Sequence, residues 1–118
     1  MRLAALVSAL ALAGAASAAT ADGNFSIKGA GGVPCSTITA DLVSGKVPAD
    51  EIAIWLMGYI SATNRTTDDT WDITGAGGVD GFATATMAYC ANNPDALLET
   101  AAFETAKTGF AGRTTAKP

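Results

Sequence analysis

The chain has 118 residues, 7 Lys and Arg against 11 Asp and Glu, and no histidine, for a net charge of −4. An acidic domain this small is a poor ligand for nucleic acid, and it has no basic helix with which to lie on an anionic membrane. The absence of histidine removes the commonest general base and the commonest transition-metal ligand.

The N-terminal segment has the pattern of an export signal. Arg2 supplies a positive start, Leu3–Ala13 is an uncharged apolar run, and Ala16-Ser17-Ala18 is a small-x-small cleavage site. Residues 1–18 are therefore expected to be a signal peptide, cut between Ala18 and Ala19. The run is too short to span a bilayer, and no later run reaches that length. Loss of Arg2 makes the remaining chain more acidic by one unit. In an exported chain, the only two cysteines, Cys35 and Cys90, read as one disulfide, the alternative being two unrelated buried thiols.

Residues 19–33 are rich in Ala and Gly and read as a flexible leader, with a short strand-like patch at Phe25-Ser26-Ile27. A first helix is predicted over Cys35–Ser44, with Cys35, Ile38 and Leu42 on one face, Ser36 as its cap and Gly45 as its left-handed end. The densest apolar stretch follows, from Pro48 to Thr63. Ile52, Trp55, Leu56, Tyr59, Ile60 and Thr63 share one broad helical face, and Asp50 and Glu51 sit in the first turn, where the helix dipole favours them. The other helices are expected to pack on this one. Gly58 inside it suggests close approach of a neighbouring helix, the alternative being contact with a ligand or partner.

Asn64–Gly78 reads as a long middle loop, in which Trp71 either folds back onto the core or stands out as an anchor for a partner. Asn24-Phe25-Ser26 and Asn64-Arg65-Thr66 match the glycosylation acceptor pattern. A third helix is predicted over Val79–Asn92, with Val79, Phe82, Ala83, Thr86, Met87 and Cys90 on one face. A fourth is predicted over Pro94–Thr108, capped by Asn93, with Leu97, Leu98, Ala101, Ala102 and Thr105 inward, Asp95 in its first turn and Gly109 closing it. Residues 111–118 read as a disordered tail. The fold class is all-α: a small bundle of about four helices, one disulfide and a long middle loop, its helical domain spanning residues 34–110.

Catalytic chemistry has little to stand on. Asp68-Asp69-Thr70-Trp71-Asp72 lacks the glycine and final glutamate of a calcium loop. Gly75-Ala76-Gly77-Gly78 has neither the preceding strand nor the Lys-Ser/Thr pair of a phosphate loop. Glu99 and Glu104 point to different helix faces. The sequence reads as a non-enzyme, with no catalytic residue, metal or cofactor expected.

Three motifs together resemble a known group: Cys35 opening a short helix, the helix Trp55-Leu56-Met57-Gly58-Tyr59-Ile60-Ser61-Ala62-Thr63-Asn64, and Tyr89-Cys90-Ala91-Asn92-Asn93-Pro94 before a Leu/Ala-rich helix. From Pro34 to Phe110 the chain resembles the small periplasmic HdeA/HdeB-like proteins and the related Tai-type immunity proteins, which neutralise type VI secretion effectors. The resemblance implies a helical fold, a Cys35–Cys90 bridge and a periplasmic location. It departs from the immunity proteins in having Leu56 and Met57 where they often carry cysteines. It departs from the acid chaperones in being poor in lysine.

Two functions follow as expectations. The first is a stress protein or chaperone of the HdeA-like type, in which acid exposes the apolar face around Trp55, Tyr59 and Phe82. Without histidine, carboxylates such as Asp50, Glu51, Asp80 and Asp95 would be the trigger. The second is an immunity or other protein-binding module acting through the middle loop and Trp71. Trp55, Tyr59, Trp71 and Phe82 are thus the candidate contact residues. The expected partner is protein: clients, one effector, or a second copy in a homodimer.

Overall fold

A computed structural model describes residues 19–118 of the chain. The expected signal peptide lies outside these residues. Among them are four α-helices and no strand: α1, Cys35–Ser44; α2, Ala49–Thr66; α3, Gly78–Asn92; and α4, Leu98–Gly109. Short 3-10 turns stand at Gly29–Gly32, Gly75–Gly77 and Phe110–Gly112. The all-α class and the Cys35–Cys90 disulfide are as expected.

The hub of the bundle is α3 rather than α2. It packs most extensively against α4 and also meets α1 and α2. The cause is side-chain size. Buried Ala101, Ala102 and Ala106 on α4 let the two helices approach closely around Phe82, Thr86 and Cys90. Thr86, fully buried, places its Oγ1 2.8 Å from the Phe82 carbonyl oxygen and 3.2 Å from Thr105 Oγ1, so its hydroxyl is not stranded in the core. The bulk of α2 contributes the rest of the core through Ile52, Leu56 and Ile60. Val79, expected inward, is exposed.

The start of α4 differs from the reading of Asn93-Pro94 as cap and first residue. Pro94–Leu97 instead forms a turn whose carbonyls serve another helix. The Cys35 amide donates to Ala96 O at 2.7 Å and the Ser36 amide to Pro94 O at 2.9 Å. These carbonyls satisfy two of the orphan N–H groups of α1, so Ser36 is a helical residue and not the cap. Pro34 and Leu97 pair across an isolated antiparallel bridge, with the Leu98 amide donating to Val33 O. Glu99, not Asp95, occupies the first turn of α4. The disulfide, buried and with a Cα–Cα distance of 4.9 Å, ties the start of α1 to the end of α3 beside this turn.

Gly45 ends α1 in the left-handed conformation at φ 71°, as expected. Gly109 does not end α4 that way; its φ is −81° and the chain runs on into the Phe110–Gly112 turn. A Cβ on Gly58 would meet nothing within 4 Å, so the expected close approach of a helix there is absent. The Gly29–Gly32 turn of the leader packs on α2 and α4, and Thr114 of the tail pairs with Asp72 of the middle loop.

Candidate functional site

Three of the four candidate contact residues come together on α2 and α3. The rings of Trp55 and Tyr59, one helical turn apart, stack with centroids 5.6 Å apart, and Tyr59 lies 6.5 Å from Phe82. They differ in access. Phe82 is buried in the core. Trp55 is partly covered by the leader: its Nε1 donates to Lys28 O at 2.9 Å, and its indole lies on the Gly29–Gly32 turn. Tyr59, half-buried, is the one that opens to solvent-filled space.

Tyr59 forms the floor shared by two open cavities between α2 and α4. One, of about 440 Å³, runs between the C-terminal halves of the helices past Thr63 and Ala106 to Phe103 and Phe110. The other, of about 520 Å³, is closed on its far side by Ala19 and Phe25 of the leader and holds Glu99. Both include Thr63 and Thr66, so they form one groove. Its rim carries three large exposed apolar residues: Phe25 at 60 %, Phe103 at 52 % and Phe110 at 42 % exposure. None of the three was among the candidates from the sequence. The signal was present in α4, where Glu99, Phe103, Ala106 and Phe110 recur at i, i+4, i+7 and i+11 beside the buried Leu98-Ala101-Ala102 face.

The groove is electrostatically uneven. Burial pushes the Tyr59 hydroxyl up to about 12, with the nearby Glu99 charge adding to the effect. Burial also raises Glu99 above the usual carboxylate range. At the other end Lys107 is exposed and lies 3.7 Å from Glu104. In the leader, the side chains of Thr20 and then Asn24 donate to Asp22 and lower it.

Trp71 stands outside the aromatic row. It is 47 % exposed, with Lys117 Nζ 5.9 Å from the ring centroid, and it is buried Ile73 that folds back onto the core. The loop is held by the tail. The Trp71 and Asp72 amides donate to Thr114 O, and the Thr114 amide returns a bond to Asp72 O. Arg113 Nε donates to Asp69 O and Thr70 Oγ1, and its guanidinium lies 3.8 Å from the centroid of the Phe110 ring. The acidic run is thereby occupied with structure. Asp69, at φ 51°, faces Arg113, and Asp72 Oδ1 accepts from the Thr74 amide and hydroxyl. Gly75 must be bare, since a Cβ there would fall 2.2 Å from Gly112 O.

Among the described residues, no group of three or more Cys, Asp or Glu could hold a metal ion, and no helix is long and apolar enough to cross a membrane. Asp50, Glu51, Asp80 and Asp95 are all exposed and take part in none of the ion pairs of these residues. Comparison with family models, curated proteins and solved structures finds no match for the chain.

Proposed function

We propose that this is an exported, non-enzymatic helical protein of the HdeA-like stress or chaperone type, and that it holds polypeptide segments of client proteins in the groove between α2 and α4. Residues 1–18 act as its signal peptide and the periplasm is its compartment. The observation that carries the reading is the set of exposed Phe25, Phe103 and Phe110 around a groove floored by Tyr59, Thr63 and Thr66. Exposed phenylalanines around a concave, weakly charged surface are what a binder of apolar chain presents.

A second reading, an immunity-type module for one protein partner, draws on a different observation. The groove is already open, and the four exposed carboxylates named above take part in none of the ion pairs among the described residues, so nothing marks them as a latch on it. Aggregation of an unfolding client should be followed with the wild-type protein and with Phe103→Ser/Phe110→Ser, at pH 7 and pH 3. Client protection that the double substitution abolishes supports the chaperone. No protection at either pH, with one stoichiometric protein recovered from a periplasmic pull-down, overturns it in favour of the immunity-type module.

A further inference from the structure

The cavity under the leader contains a carboxylate with no counter-charge among the described residues. Ala19 and Phe25 of the leader, Tyr59 and Thr66 of α2, and Glu99 of α4 line it, and Glu99 and Tyr59 are its titratable groups. Among the described residues Glu99 belongs to no ion pair, and burial alone accounts for its raised affinity for a proton. A half-buried carboxylate beside two aromatic rings calls for a cation, which a ring face and a carboxylate can hold together. Ala19, on the wall of the same cavity, follows directly on the expected cleavage site. The residues that follow it form a local turn, in which the Gly23 amide donates to Thr20 O at 2.8 Å and the Thr20 amide to Asn24 O at 3.0 Å.

We propose that this cavity is the seat of the chain's own processed N-terminus, with the α-ammonium of Ala19 paired to Glu99 beside Tyr59 and Phe25. Hydrolysis by a signal peptidase adds water across the Ala18–Ala19 amide. It leaves a carboxylate on Ala18 and an amine on Ala19 that takes up a proton. Before cleavage the nitrogen at position 19 is an uncharged amide that offers Glu99 no counter-charge. After cleavage the ion pair pins the leader along α2, so one wall of the groove is completed by maturation. The inference rests on export and processing, not on what the groove binds.

The test uses the product processed from the full chain in the periplasm. Its N-terminus should be Ala19. Acetylation of its α-amine, followed by mass spectrometry across pH 6–10, should report a pKa above the reference of about 7.7–8.0. Each unit of increase slows labelling at pH 7 about tenfold. Glu99→Gln should restore the rate of an unstructured peptide, and Glu99→Asp should fall between. Glu99→Gln should also lower the melting temperature of the processed chain but not of the α-acetylated chain. A start at another residue, peptide-like reactivity in the wild type, or a slowed amine that Glu99→Gln leaves slow would each overturn the proposal.

Discussion

Gly31 and Trp55 are in contact so close that no other residue fits at position 31: a Cβ there would lie 2.0 Å from Cζ2 of the indole. The Gly29–Gly32 turn is therefore a platform for the indole, and α2 is fixed to the leader at this point.

Gly31→Ala should displace the indole and destabilise the fold by about 1–3 kcal/mol, the usual cost of overpacking a filled site. With Trp71→Phe as background, tryptophan emission should shift to the red as Trp55 becomes wetter. An unchanged spectrum and an unchanged denaturation midpoint would refute the contact.

Gly58→Ala should have the opposite effect. The position is helical, exposed and free of neighbours within 4 Å. Alanine there should raise stability by about 0.5–1 kcal/mol, through helix propensity alone. Urea midpoints measure it, and a loss of stability would show that something packs on this face in solution.

Alkaline stability should depend on Tyr59. Its folded-state pKa, pushed up to about 12, lies above the 10.0 of a free tyrosine. A raised folded-state pKa means that the unfolded chain releases the proton first. The Tyr59 contribution is therefore complete below pH 10 and is lost as pH climbs from 10 to about 12. Tyr59→Phe should flatten that part of the stability–pH curve without altering its slope near neutrality, as denaturant melts at intervals across pH 7–12 would show.

Removing the bridge should weaken the fold severely. Cys35 and Cys90 are 55 positions apart. In the loop-entropy account, a bridge over that distance contributes about 4 kcal/mol. Cys35→Ala/Cys90→Ala should show a correspondingly lower urea midpoint, with helical circular dichroism retained in the absence of denaturant if the core alone suffices.

The sequence was most legible where one physical signal dominated. Periodicity and Gly45 marked α1, the dense apolar face marked α2, and the cysteine pair marked the bridge. It was least legible where distant backbone decides the outcome. Pro94 has the chemistry of a helix start, yet its carbonyl caps α1, a role set by tertiary contact. The leader glycines look like slack because their function, close approach to Trp55, belongs to another element. In the groove, Tyr59 was legible from its own helix. Phe103 and Phe110 were not, because their stripe lies beside the stripe that fills the core, and only the spacing between α2 and α4 distinguishes them.

The pairing of Thr114 with Asp72 bears on how the protein tolerates truncation. The middle loop takes its final form only when the last few residues reach it. The Trp71 loop thus depends on partners distant in sequence for its backbone hydrogen bonds, not on its own residues alone. A C-terminal nick that removes Arg113 and Thr114 would undo, from the far end of the chain, a loop built some forty positions earlier.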